Sequence, residues 1–157
     1  MLQAFVFEHV AVLVSPWSEP IDPPERGTRV EVRLLVDEAR RGSYAAAQRV
    51  VIDQPVFRAD LFDVMTAPPG NLDSAHFHPN FDGVEPCDRV WPEAIKQDPT
   101  GWLAGELSDL GHLLRRAGAG AADAAWVESE AAALRDAIPT IVASVEATWN
   151  TVRTASV

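Results

Sequence analysis

From Arg29 to Val36 the chain reads RVEVRLLV, with Val30, Val32, Leu34 and Val36 on one parity and Arg29, Glu31 and Arg33 on the other. Successive strand side chains point to opposite faces, so this run predicts a half-buried strand with a solvated charged face. After Pro92 the period changes. Leu103, Leu107, Leu110, Leu114 and Ala117 form one stripe at helical spacing, and Val127, Ala131, Leu134 and Ile138 form another. A period of 2 followed by a period of 3.6 admits few folds. The expectation is α+β, an antiparallel sheet in the N-terminal half covered by C-terminal helices.

The remaining segments fill this frame. Residues 2–14 are apolar on both parities and read as one central strand covered on both sides. SPWSEPIDPPERG is proline-rich and reads as a loop. Ser43–Ile52 is ambiguous, since its alanines suit a helix and its RVVI end a strand. Asp53-Gln54-Pro55 reads as a turn. Residues 56–65 alternate again, with Phe57, Ala59 and Leu61 opposite Arg58 and Asp60, which share a face and read as an ordinary surface ion pair or as a polar floor beside His76 and His78. APPGN is a turn before a short strand from Leu72 to His78. Asp98 caps a helix beginning at Pro99, and Gly118 stops it. Pro139 starts a new helix or kinks a long one. A final stripe of Ile141, Val145, Trp149 and Val152 follows, so Gly118 and Pro139 divide this half into three helices.

With 157 residues, 47% of them apolar, the chain is expected to form one domain, residues 1–91 mainly strands and loops and 98–155 helical. Its formal charge is −10, which repels phosphate backbones and sets nucleic-acid binding aside. Cys87 is the single cysteine, so a disulfide framework and a cysteine-rich zinc site are excluded. No stretch has transmembrane length and the apolar N-terminus lacks a basic leader, so no membrane association and a reducing cytoplasmic location are expected.

The segment GNLDSAHFHPNFDGVE carries the chemistry. In a strand His76 and His78 share a face, and imidazole nitrogens suit zinc, iron or nickel. The nearby carboxylates are Asp73, Asp82 and Glu85. Asp73 points away in a regular strand, whereas Asp82 follows Pro79-Asn80, where the chain can turn back. The candidate metal set is therefore His76, His78 and Asp82. Ligand-pocket candidates are Arg58, Asp60, His76, His78 and Trp91. His112 falls roughly 180° from the apolar stripe and is expected to be exposed. His9 reads as a core histidine inside an apolar strand that can reach a site across strands. Ser74 lacks an acid to complete a hydrolase triad. Trp17 and Trp91, in proline-rich loops, suit a pocket wall or a partner anchor.

The spacing Gly70-x5-His76-x-His78-x3-Asp82 resembles the first motif of the cupin family, small β-barrels that often hold a metal. Asp82 stands where that family has glutamate, Arg89 falls where a glycine is expected, and the second motif is absent. The string VIDQPVFRADLFD with HFHPNFDGVEP looks like an uncharacterised bacterial domain family, which implies that residues 30–110 form one fold unit and assigns no residue a role. Two functions stand side by side. One is a non-catalytic interaction or homo-oligomeric domain with a polar HxH pocket, working as a homodimer or with a basic protein partner, as toxin-neutralising proteins do. The other is a metal-dependent small-molecule enzyme or binding protein using His76, His78 and Asp82.

Overall fold

The computed structural model describes every residue except 38–42, 44–46, 48, 120–123 and 155–157, and the side chains of residues 37, 124 and 125. Five strands form one antiparallel meander: β1 (Gln3–Val6), β2 (Val10–Glu19), β3 (Glu25–Asp37), β4 (Val50–Val64) and β5 (His76–His78), in spatial order β1-β2-β3-β4-β5. A two-residue hairpin, β6 (Phe81–Asp82) and β7 (Glu85–Pro86), turns at Gly83 with φ +60°. Helices α1 (Glu93–Gln97), α2 (Pro99–Ser108), α3 (Leu110–Arg116) and α4 (Ala124–Thr154) complete the chain. The α+β architecture read from the change of period is the one observed.

One sheet face and the helices make the core. Val10, Val12 and Val14 of β2, Val30 and Val32 of β3, and Phe57, Ala59 and Leu61 of β4 are fully buried or nearly so. They meet Leu103, Leu107, Leu110, Leu113 and Leu114 of α2–α3 and Leu134, Ile141 and Val145 of α4. Each such side chain taken from water contributes roughly 1.5–3 kcal/mol, which is why the helical stripes lie on the sheet. α4 packs on β2 and β3, and α2 and α3 pack on α4.

Several local expectations are corrected. Residues 2–14 are two strands, because Phe7 N donates to Val10 O (2.9 Å) and closes a turn at Glu8-His9. β2 runs on through Pro16 and Trp17, into the segment read as a loop. Its partner β1 pairs only with Ala11–Val14, so Pro16 lies on an open flank, where its missing N–H costs no ladder bond. Asp53-Gln54-Pro55 lies inside β4, where a bulge shifts the register opposite Arg33 and accommodates Pro55. Of Ser43–Ile52, the last three residues belong to β4, and most of the rest lies outside the described residues. The strand expected from Leu72 begins only at His76. Leu72 is buried in the core with φ +52°.

Asp98 caps α2 as expected, its carboxylate accepting from Gly101 N (2.8 Å), and Gly118 takes φ +66° beyond α3. The stripe from Leu103 to Leu114 is split at Asp109, which caps α3 by accepting from His112 N (2.8 Å). The division at Pro139 does not occur. α4 runs 31 residues with Pro139 inside it. Loss of one backbone bond is outweighed where Leu134, Ile141 and Val145 bury on either side of the proline.

Candidate functional site

The sheet face opposite the core carries a charged cross-strand network. The β3–β4 register pairs Arg29 with Asp60 and Glu31 with Arg58, and the β4–β5 register pairs Asp60 with His76 and Arg58 with His78. Strand alternation then puts all six side chains on one face. The face is not solvated as expected: side chains of Arg29, Glu31 and Arg58 are 16%, 14% and 13% exposed, and Asp60 only 1%. Arg29 lies 3.7 Å over the ring of Trp17, which stacks on Phe62, so aromatic rings cover part of the network. The Arg58–Asp60 pair, read as a surface ion pair, is buried.

Asp60 is held from several directions. Arg29 Nε donates to its Oδ1 at 2.7 Å, and Arg58 Nε stands 3.2 Å from its Oδ2. His76 Nε2 and His78 Nε2 lie 3.3 and 3.7 Å from Oδ2. Burial opposes the charge on Asp60, but contacts with His76, His78 and Arg29 outweigh it and hold the carboxyl far below the usual carboxylate range. Arg58 is shifted downward, chiefly by burial, with Asp60 opposing that shift.

Both imidazoles are oriented from behind. His76 Nδ1 donates to Ser74 O at 2.7 Å and His78 Nδ1 to Asp88 O at 2.8 Å. A carbonyl only accepts, so each Nδ1 carries the proton and each Nε2 is directed to Asp60. Asn80 fixes Asp88 in turn, donating to its carboxylate (2.8 Å) and accepting from its amide (3.1 Å). The Pro79-Asn80 step is thus the support of His78. Paired bonds between Phe77 and Val90 (both 2.9 Å) bring the next residue, Trp91, to 5.7 Å from the His76 ring. Trp91 is 58% exposed and lies beside the His76 ring.

Asp60, His76 and His78 offer ligand atoms that all lie within 4.8 Å of one another, and this buried group could hold a metal ion. Arg58 bears on that capacity. Its Nη2 donates to His78 Nε2 at 2.9 Å, so the lone pair a metal would take is engaged. Among the described residues, His76 Nε2 and Arg58 Nε are buried without an aligned hydrogen-bond partner.

The structure brings Arg58, Asp60, His76, His78 and Trp91 together. It does not bring in Asp82, which lies exposed on β6 opposite Glu85. Proximity in sequence favoured Asp82, but the hairpin at Gly83 carries it away while strand register delivers Asp60. Asp73 is exposed and bonds to Lys96 at 3.1 Å. His112 and Cys87 are both exposed. His9 is not a core residue: it lies in the β1–β2 turn, against α4. Arg29 was missed as a member of the site. Its parity on β3 was legible, but its pairing with Asp60 depends on the register. Among the described residues no helix is long and apolar enough to cross a membrane. Comparison with protein-family models, with curated proteins and with solved structures gives no match.

Proposed function

We propose that the protein binds one divalent transition metal through Asp60 Oδ2, His76 Nε2 and His78 Nε2, and that Arg58 is its competitor for the site. The supporting observation is the pair of histidines anchored through Nδ1 to backbone carbonyls, with both Nε2 atoms converging on one buried carboxylate oxygen. Metal-binding histidines are oriented by such outer bonds, and two histidines with one carboxylate suit zinc, iron(II) or nickel. Arg29 Nε holds Oδ1 at 2.7 Å, while its Nη2 reaches Oδ2 only at 3.3 Å, so the carboxylate is fixed chiefly through the oxygen that the metal does not use.

Charge decides how the site loads. Asp60 already faces Arg29 and Arg58, and a divalent ion beside both would concentrate positive charge in a buried place. Arg58 would have to give up Asp60 for a metal to be held there, and its registered neighbour on β3, Glu31, which already accepts from Arg33 Nε at 2.8 Å, is the carboxylate it could share. Three protein ligands leave coordination positions for water or a small ligand, the arrangement of a catalytic or ligand-binding centre. The test is elemental mass spectrometry of tag-free protein purified without chelators. Stoichiometric metal that disappears in His76→Ala/His78→Ala supports the reading, and equal content in both proteins rejects it.

The two arginines favour a second reading, in which the network is a metal-free polar pocket or sheet lock within an interaction or homo-oligomeric domain. It expects no bound metal and a strong loss of stability when Asp60 is removed.

A further inference from the structure

A cleft of about 280 Å³ lies at the opposite edge of the sheet from the histidine pair, between the β1–β2 turn and α4, lined by Phe7, Glu8, His9, Trp126, Ser129 and Glu130. Glu130 is buried beneath it. Its Oε1 accepts from the backbone N–H of His9 and of Val10, both at 2.8 Å, and its Oε2 accepts from His9 Nδ1 at 2.8 Å. The His9 ring stacks on Trp126 with centroids 4.5 Å apart and 22° between planes. The backbone bonds close the turn, and they would do so whatever side chain stood at position 9. The imidazole is the added element. Its orientation is fixed at one nitrogen by a carboxylate and on one face by an indole, while the side chain stays 41% exposed.

We propose that this cleft binds an organic cation bearing N–H donors, an alkylammonium or guanidinium group, with His9 Nε2 as the acceptor. With the proton on Nδ1, Nε2 presents a lone pair. The bonds to Glu130 come from neutral donors when His9 is neutral, so its negative charge persists beside the cleft, and the exposed Glu8 adds a second. Among the described residues the lining holds no arginine or lysine. Phe7 and Trp126 supply the apolar wall that receives the body of such a ligand. The net charge of −10 draws cations toward the protein as a whole. This site is independent of the proposed metal site.

The same group can come from a free amine or from the side chain of a basic protein, and the experiment separates these sources. Tyramine and N-acetyl-arginine amide are titrated in parallel at low salt, with 3-(4-hydroxyphenyl)propionate as the anionic control. The His9 ring and Trp126 indole signals are followed by NMR. Saturable shifts with a Kd on the order of 1 mM are expected for at least one cation and none for the anion. Tighter binding of tyramine points to a free amine, and tighter binding of the blocked arginine to a protein side chain. His9→Ala weakens binding about tenfold, and Glu8→Gln, an exposed change that leaves the turn intact, weakens it severalfold. Absence of saturation with both cations, equal shifts from the anion, or unchanged binding in both variants overturns the proposal and leaves Glu130 and His9 as a clamp on the turn.

Discussion

Asp60 and His76 are registered partners across β4 and β5, and His76 Nε2 stands 3.3 Å from Asp60 Oδ2 while Nδ1 of the same ring is tied to Ser74 O. This imidazole is thus fixed at Nδ1 to its own chain, while Nε2, without an aligned hydrogen-bond partner, faces the carboxylate of the neighbouring strand. His78 repeats the pattern with Asp88 O behind it and Arg58 in front. The difference between the two rings, one engaged by a guanidinium and one not, underlies the proposed exchange of Arg58 for a metal.

Replacing Arg58 by methionine keeps an unbranched apolar side chain of similar length and removes the competing cation. Zinc affinity of Arg58→Met is expected to rise at least about tenfold, since a unit charge a few ångströms from the ion is removed. Competition with a chromophoric chelator measures this. Weaker binding in the variant would mean that Arg58 supports the site rather than blocks it.

Asp60→Ala leaves two largely buried guanidinium groups without their shared carboxylate. Breaking a buried pair in this way costs about 3–5 kcal/mol, read as a lower midpoint in urea. Asp82→Ala, at an exposed position, is expected to change stability by less than about 0.5 kcal/mol. Similar effects of the two changes would contradict the placement of the site on β4.

Asp63 ties α4 and the 70–72 turn to the sheet, accepting from Arg153 Nε (2.8 Å), Gly70 N (2.8 Å) and Leu72 N (3.1 Å). Burial opposes its charge, but these bonds and the Arg153 charge outweigh it and lower its pKa. A lowered folded-state pKa stabilises above the unfolded value of about 3.9, and that contribution is lost as pH falls through the folded value. Asp63→Asn should therefore cost on the order of 2 kcal/mol at pH 7 and flatten the decline of stability below about pH 4. Urea unfolding at a series of pH values tests the sign. An acid limb as steep in the variant as in the wild type would assign the decline to other carboxylates.

Gly27 sits on β3 where it crosses Phe62 of β4, and a Cβ there would overlap the Leu61 carbonyl. Backbone cannot move aside cheaply within a paired sheet. Gly27→Ala is expected to lower stability by about 3 kcal/mol. Gly105→Ala, on α2 with open space around the added methyl, should be neutral or stabilising by up to about 1 kcal/mol. Thermal unfolding of the pair checks the contrast.

How much of this was legible follows from the range of each signal. Alternation is local, so β3, the inner part of β4 and the apolar faces were readable, as was the shared face of His76 and His78. The Asp98 cap and the Gly118 stop were readable for the same reason. Register is not local. Nothing in the linear order says that Asp60 stands opposite both Arg29 and His76, so proximity in sequence favours a carboxylate four residues from His78 over one eighteen residues away. The turn at Glu8-His9 is held by Glu130, 121 residues from His9, and an apolar run without that partner reads as one strand. Pro16, Pro55 and Pro139 each marked a break by propensity. Each lies within an element, because an open flank, a bulge and a packed helix face absorb the missing donor.

The proposed metal centre at Asp60 Oδ2, His76 Nε2 and His78 Nε2 is open to one direct reading. Titration of the metal-free protein with cobalt(II), followed by visible absorption, reads ligand number and stoichiometry together. The account predicts a d–d band that saturates at one equivalent and is lost in Asp60→Ala and in His76→Ala/His78→Ala, while Asp82→Ala keeps it. No band in the wild type, or a band that survives loss of the histidines, would contradict the account and leave the network as a metal-free lock on the sheet.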